Sequence, residues 1–215
     1  MKFDQLKSSY DNEGFVVFQN YSADEIKLIQ NYAVEWLSGL IFSQIQSPLF
    51  GPIDNYHKWQ EKFKIDHQKL LTAKNRHCRP TKEIKQCIIN SNLAKVIEIL
   101  EPGTASKLWD EGLGWLAFRL IRPGFKDGYP WSCKLWGPAK NCISVWLPVV
   151  GHGPLDTLAI WKGSNNKRLK RYLPKETKFT KDEYRLVDEP ETENIIRPTL
   201  AKNEIIIFGP KTIHS

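Results

Sequence analysis

The stretch Asn203-Glu-Ile-Ile-Ile-Phe-Gly-Pro-Lys-Thr-Ile-His-Ser215 places an apolar run before a Gly-Pro turn and a histidine after it. The run from Ile205 to Phe208 consists of β-branched and aromatic residues, which is typical of a buried strand. The chain continues through the turn to His214, a side chain that can bind a metal or hold a proton. The stretch therefore predicts a core strand whose continuation delivers a candidate metal ligand.

Further short apolar or alternating runs, separated by Gly and Pro, precede this stretch in the second half of the chain. Regular short strands with such breaks favour a barrel or a sandwich. The predicted strands are Ser106 to Trp109, Trp115 to Ile121, Cys142 to Val150, Thr157 to Trp161, Tyr184 to Val187 and Glu204 to Phe208.

The first half of the chain is predicted to be mostly helical. A turn beginning at Tyr10 leads into a short strand that ends at Phe18. Ser22 and Glu25 then have the spacing of a capping box, which opens an amphipathic helix. The predicted helices run from this box through Leu40, from about Tyr56 to Lys74, and from Thr81 to about Leu100. Helices followed by strands predict an α+β fold in which the helices buttress one face of the sheet.

Length and charge limit the possible functions. A chain of 215 residues with 41% hydrophobic content is expected to form one domain, helical over about 1–103 and β-rich over about 104–215. The net charge of +7 favours anionic ligands. The basic stretch Lys167-Arg-Leu-Lys-Arg171 is either a solvated loop or a site that steers phosphate, carboxylate or nucleic acid.

The sequence predicts a cytoplasmic protein without a membrane partner. The N-terminus carries charges throughout, unlike a signal peptide, and no apolar run approaches the roughly 18 residues of a membrane span. The four cysteines include no C-x-x-C pair, so reduced structural thiols are expected.

Five features occur in an informative order along nearly the whole chain. They are Asp11-Asn-Glu-Gly-Phe-Val-Val-Phe18, the capped helix after it, Ser144-Val-Trp-Leu-Pro148, Trp161-Lys-Gly-Ser-Asn165 and Gly209-Pro-Lys-Thr-Ile-His214. Together they resemble the phytanoyl-CoA dioxygenase family. The resemblance implies a double-stranded β-helix, which is a jelly-roll or cupin-like barrel, and an oxygenase that uses Fe(II) and 2-oxoglutarate to hydroxylate an organic substrate. It further implies an iron held by two histidines and one carboxylate.

The resemblance assigns expected roles to three parts of this chain. His214 matches the distal metal histidine of the family, and Trp146 matches the tryptophan that lines the co-substrate pocket. The turn at Gly163 and Ser164 matches a family turn that is expected to support the site without touching the metal.

The chain departs from the family where a His-x-Asp or His-x-Glu motif is expected. The corresponding stretch, Asp127-Gly-Tyr-Pro-Trp-Ser-Cys-Lys-Leu-Trp-Gly137, contains no histidine. Replacement ligands considered from the sequence are Asp127, the pair His152 and Asp156, and Cys133 acting with His214. Three further histidines, His57, His67 and His77, are spaced ten residues apart, which is not the spacing of ligands on one helix face. They are expected to be surface or capping residues.

A second departure concerns the end of the chain. The family has an arginine, about one strand beyond the distal histidine, that pairs with the far carboxylate of 2-oxoglutarate, whereas this sequence stops at Ser215. We expect the sequence to be a fragment that lacks the last strands of the barrel.

Two functions follow, with a third less favoured. The first is an oxygenase that hydroxylates a small or carrier-linked molecule, with the stretch from Lys167 to Arg171 receiving an anionic group. The alternative is a non-catalytic ligand-binding protein that has lost the His-x-Asp motif. Nucleic-acid binding is disfavoured, because the aromatic residues lie mostly in apolar strands rather than in a basic groove. The ligand pocket of the alternative would be lined by Trp131, Trp136, Trp146 and Trp161.

Overall fold

The predicted core strand is β10, Glu204–Phe208, at the centre of a three-stranded antiparallel sheet in the order β1-β10-β5. Phe208 pairs with Phe15 of β1, Phe15–Gln19, and Ile206 pairs with Trp146 of β5, Ser144–Trp146. Every apolar residue of β10 is buried. A strand with both faces buried gives the continuous apolar run that the sequence shows.

This is a computed structural model, and it describes residues 3–46, 55–70, 72, 77–103, 116–122, 131–134, 143–151, 157–168, 170–172, 183–186 and 190–215. The helices are α1 Phe3–Glu13, α2 Ala23–Ile45, α3 Tyr56–Lys62, α4 His67–Leu70, α5 Lys82–Ile88 and α6 Ser91–Leu100, with 3₁₀ turns at Ser164–Asn166 and Thr192–Asn194. The remaining strands are β2 His77–Cys78, β3 Leu116–Ala117, β4 Ser132–Lys134, β6 Ile160–Trp161, β7 Arg171–Tyr172, β8 Glu183–Leu186 and β9 Ile195–Ile196.

Helices cover one face of the β1-β10-β5 sheet, as predicted. Side chains alternate along a strand, so Ile205 and Ile207 of β10 face the helices. They pack in a helix-side cluster with residues of β1, α1, α2, α5 and α6. The members of this cluster are Leu6, Tyr10, Val16, Tyr21, Ile26, Ile29, Cys87, Leu93, Val96, Ile97, Leu100, Ile205 and Ile207.

The helix boundaries differ from the sequence prediction in three places. The capping box of α2 is present, but the helix continues five residues past Leu40 to Ile45. The segment predicted as one helix from Tyr56 to Lys74 contains the short helices α3 and α4. The segment from Thr81 to Leu100 is divided because Asn90 caps α6. The sequence does not predict α1, and the last residues of this helix lie where the turn beginning at Tyr10 is predicted.

The other face of β10 borders an interior cluster that a second group of strands completes. Ile206 and Phe208 pack there against Ile160 of β6 and, at its edge, Ile196 of β9. The segment after β10 pairs antiparallel with β6, since the amide of Trp161 donates to the carbonyl of Ile213 at 2.9 Å. The buried members of the interior cluster are Phe15, Leu158, Ile160, Leu200, Ile206 and Phe208.

The architecture is therefore mixed α and β, with antiparallel strand pairs on both sides of the interior cluster. The more specific double-stranded β-helix stays a prediction, and so does the division into one domain of 215 residues. The predicted strands around β3, β5 and β6 are shorter than expected, while the one from Ser106 to Trp109 lies outside the described residues. No helix in the described ranges is long and apolar enough to cross a membrane.

Candidate functional site

His214 lies buried beside the interior cluster. Only 4% of its surface is exposed, and its ring contacts the ring of Phe208 with 4.7 Å between centroids. A β-bridge to Ile160 holds its backbone. Next to it, the amide of Ser215 donates to the carbonyl of Ala159 at 2.9 Å. Pairing with the segment of Ala159 and Ile160 therefore fixes the backbone from which the imidazole projects.

A hydrogen bond sets the tautomer of His214. Its Nδ1 lies 3.0 Å from the carbonyl oxygen of Thr212, and a carbonyl oxygen only accepts, so Nδ1 carries the proton. In the neutral ring the lone pair is then on Nε2. Histidines that bind metals are commonly oriented in this way, with one ring nitrogen donating to a carbonyl and the other carrying the lone pair.

Trp146 borders the same interior cluster from the other sheet. It is half-buried, packs against the cluster and pairs with Ile206. Its indole Nε1 is buried and has no hydrogen-bond partner among the described residues. Leaving a buried donor unpaired costs about 1–3 kcal/mol. The structure thus brings Trp146 and His214 to one cluster, and the indole N–H there has no partner among the described residues.

The turn at Gly163 and Ser164 is hydrogen-bonded to the residue that precedes His214. Ser164 is fully buried, and its hydroxyl accepts the amide N–H of Ile213 at 2.8 Å, one residue before His214. The amide of Gly163 donates to the carbonyl of Glu13 at the end of α1, at 2.9 Å. These bonds connect the histidine segment to the first helix.

Cys133 lies on the opposite side of the histidine segment. It belongs to an outer cluster, formed by Cys133, Trp161 and Ile213, with Trp131 packed against it. Ile213 points into this cluster, whereas its neighbour His214 contacts Phe208 of the interior cluster. Successive side chains of an extended segment face opposite sides, so the structure argues against Cys133 as a co-ligand of His214.

The same separation corrects the prediction of one aromatic pocket. Trp131 and Trp161 pack in the outer cluster, and Trp146 packs against the interior cluster. Trp136 lies outside the described residues. Trp131 and Trp161 therefore pack in a different cluster from Trp146.

The other candidate ligands either pack elsewhere or lie outside the described residues. Within the described residues, no group of three His, Cys, Asp or Glu side chains could hold a metal. Asp127, His152 and Asp156 lie outside the described residues. His67, expected at the surface, is instead 4% exposed, and its Nδ1 lies 2.9 Å from the hydroxyl of Tyr56. His57 is half-buried on α3, while the side chain of His77 is outside the described part.

Lys167 of the basic stretch and Lys162, which precedes the stretch, both have acidic partners. Lys162 forms an ion pair with Glu13 at 2.8 Å, and Lys167 forms one with Glu191 at 2.9 Å. Lys167 also lies over the ring of Trp161, 4.8 Å from its centroid. These contacts favour a structural role for Lys167, and they weaken the expectation that this residue receives an anionic ligand.

Sequence reasoning missed Arg119. This half-buried residue follows β3, and its guanidinium carbon lies 5.9 Å from the ring centroid of Trp146. A cation at that distance interacts favourably with an indole face. A half-buried arginine beside the candidate tryptophan is a functional signal, but no local sequence pattern connects the two residues.

Comparison with solved structures finds a match to the crystal structure of EctD from S. alaskensis in its apoform. The TM-score is 0.50 at 16% sequence identity, and the match covers 100% of this chain and 70% of that chain. At this identity the likeness concerns the fold alone. No family model matches the chain, and no curated protein matches it.

Proposed function

We propose that this chain is an oxygenase that uses Fe(II) and 2-oxoglutarate to hydroxylate a small or carrier-linked organic molecule, in the manner of the phytanoyl-CoA dioxygenase family. The observation that carries the proposal is the buried His214, whose Nδ1 hydrogen bond to the carbonyl of Thr212 places the lone pair of the neutral ring on Nε2, the nitrogen that would bind a metal. The likeness of the fold to EctD from S. alaskensis, which extends over 100% of this chain, is a second support.

The described residues supply a donor for 2-oxoglutarate but only one of the protein ligands that iron needs. The buried Nε1 of Trp146 is a donor that suits a carboxylate such as those of 2-oxoglutarate, and His214 suits one coordination position of iron. A complete iron site needs two more protein ligands, and the described residues supply no group of three. Iron with 2-oxoglutarate would provide the oxidation of an unactivated C–H bond, while Trp146 and His214 would hold the ligands at the interior cluster.

Anaerobic titration with Fe(II) and 2-oxoglutarate tests the proposal. We expect a visible metal-to-ligand charge-transfer band in the wild type that is absent in His214→Ala. The matched control is His57→Ala, on helix α3, which should keep the band. A band of equal intensity in His214→Ala would show that His214 is not a ligand.

The second candidate function is a ligand-binding protein without catalysis. The observation that favours it is β4, Ser132–Lys134, which lies in the stretch where the His-x-Asp motif is expected. Its middle residue is the buried Cys133, which packs in the outer cluster. This function predicts ligand binding at the interior cluster with no charge-transfer band in wild-type protein. The same titration therefore separates the two functions.

A further inference from the structure

We propose that Thr212 is a positioning residue for His214, because its buried hydroxyl holds the peptide whose carbonyl sets the tautomer of the histidine ring. This inference rests on the proposed function in taking His214 as a metal ligand. It goes further in naming the contact that selects which ring nitrogen faces the metal. Thr212 therefore acts on the metal through His214, without touching it.

The first step of the argument concerns the carbonyl that orients the ring. Nδ1 of His214 lies 3.0 Å from the carbonyl oxygen of Thr212, only two residues earlier in the chain. A carbonyl so close in sequence moves with the segment that carries the ring. It can select one tautomer only if its own peptide is held in place, so the contacts of the peptide between Thr212 and Ile213 decide the question.

The second step concerns two bonds that hold this segment. A peptide is planar, so its carbonyl and its N–H turn together. The N–H of Ile213 donates to the hydroxyl of the buried Ser164 at 2.8 Å. The amide of Thr212 donates to the carbonyl of Gly209 at 3.1 Å. Two points of attachment still allow the segment to pivot about the line that joins them, and a third contact removes that freedom.

The hydroxyl of Thr212 makes the third contact. Thr212 is fully buried, and its hydroxyl donates to the carbonyl of Gly14, between α1 and β1, at 2.7 Å. Threonine is β-branched and therefore stiff about χ1, so fixing the hydroxyl also fixes the backbone of Thr212. The Gly14 carbonyl accepts the amide of Gly209 as well, at 3.2 Å. The junction of α1 and β1 thus anchors the segment at both Gly209 and Thr212.

The residue at position 14 permits this close contact. Gly14 has φ +87°, and an added Cβ would lie 2.7 Å from Thr212 Oγ1. Only a residue without a side chain lets the hydroxyl come so near in this conformation. The contact therefore needs a glycine and a hydroxyl together, although the two residues are 198 positions apart in the sequence.

Nitrogen NMR of the histidine rings tests the proposal without any metal. The full chain is prepared with isotope-labelled histidine at about pH 8, where an imidazole is ordinarily neutral. A His214→Gln variant identifies the signal of His214 among the five histidines. We expect the wild-type ring to carry its proton on Nδ1. Thr212→Val keeps the shape of the side chain without the hydroxyl and should shift a measurable fraction of the rings to the Nε2–H form, whereas Thr212→Ser should not.

Titration with Fe(II) in the presence of 2-oxoglutarate gives the second measurement. Thr212→Val should raise the Kd of Fe(II) about tenfold or more, as losing a contact that orients a metal ligand usually does, and Thr212→Ser less than about twofold. The matched control is Tyr21→Phe, which removes a hydroxyl that donates to the carbonyl of Ile88 at 2.9 Å in the helix-side cluster. This control should lose stability but keep both the tautomer and the Kd.

The proposal is overturned if the wild-type ring carries its proton on Nε2, a result that needs no variant. It is also overturned if Thr212→Val folds and keeps either the wild-type tautomer or the wild-type Kd for Fe(II), or if Thr212→Ser has the same effects as Thr212→Val. If Thr212→Val does not fold, Thr212→Ala removes the hydroxyl without placing an extra methyl group beside Gly14 and gives the same test.

Failure of the oxygenase proposal gives a different result. The wild type would then show no charge-transfer band with Fe(II) and 2-oxoglutarate, while loss of the Thr212 hydroxyl would still change the tautomer of His214. If instead Thr212 has no positioning role, the band would remain in Thr212→Val with the wild-type Kd for Fe(II).

Discussion

The two faces of strand β10 have different neighbours, although four consecutive apolar residues supply both. The helix side, with Ile205 and Ile207, packs against helices. The interior side, with Ile206 and Phe208, faces a cluster bordered by His214 and by Trp146, whose indole nitrogen lacks a described partner. A face with well-packed apolar side chains supports the fold, and a face bordered by an unsatisfied polar group is the one to examine for a ligand.

The largest expected effect is a loss of stability on the helix side. Ile207 is fully buried there, so Ile207→Ala should lower the free energy of unfolding by about 4 kcal/mol through lost burial and a residual cavity. Urea denaturation measures this change. Its cross-strand partner Val145 is 37% exposed, and Val145→Ala should lose less than about 1 kcal/mol.

Ile207→Ala also tests the division between the two faces. In the protein that remains folded, the Kd for 2-oxoglutarate in the presence of Fe(II) should change by less than about twofold, because the substitution lies on the far face of the sheet. A variant that folds but no longer binds 2-oxoglutarate would show that the helix side shapes the ligand site directly.

The next effect concerns the junction that connects α1 to the histidine segment. Gly14 has φ +87°, and an added Cβ would lie 2.7 Å from Thr212 Oγ1 and 2.8 Å from Asn165 Oδ1. Gly14→Ala should therefore lower the free energy of unfolding by about 3 kcal/mol, from backbone strain and overpacking. The measurement is again urea denaturation.

Gly39 provides the matched control for this prediction. It lies within α2, and nothing lies within 4 Å of an added Cβ. Gly39→Ala should raise the free energy of unfolding by about 0.5–1 kcal/mol, because alanine favours the helix. If both substitutions changed the free energy of unfolding equally, the close packing around Gly14 would be contradicted.

The sequence predicted the strand and the helix cap that support the site better than it predicted the contacts within the site. The residues of β10 and the capping box at Ser22 and Glu25 are local patterns, and both are present in the structure. The start of α6 also has a local signal, since Asn90 is a favoured N-cap residue. The apolar periodicity on both sides of Asn90 nevertheless predicts one continuous helix.

The tertiary contacts could not be predicted in the same way. No sequence pattern shows that Arg119 lies over Trp146, because the contact depends on how β3 and β5 are placed in space. The opposite orientation of Ile213 and His214 follows from strand alternation. Its consequence for Cys133 became visible only when the outer cluster was known.

The smallest expected effect is electrostatic and lies on the helix side. Burial raises the pKa of the Glu25 carboxyl, but hydrogen bonds from Ser22 and Asn90 outweigh burial, so its net pKa is below the usual value. The Ser22 amide donates to Glu25 at 2.8 Å, and Asn90 Nδ2 donates to it at 3.2 Å. The charged carboxylate thus joins the start of α2 to the cap of α6.

A carboxyl with a lowered pKa in the folded state stabilises the protein above its unfolded pKa, and this contribution is lost as the pH falls through the folded pKa. Glu25→Gln should therefore lower the free energy of unfolding by about 0.5 kcal/mol at pH 7. The difference from the wild type should shrink as the pH falls below about 4. Urea denaturation across this range measures it, with Glu35→Gln on the same helix as the charge-matched control. A difference that persists unchanged in acid would assign the effect to the shape of the side chain, and the carboxylate would then contribute nothing through its charge to the contact between α2 and α6.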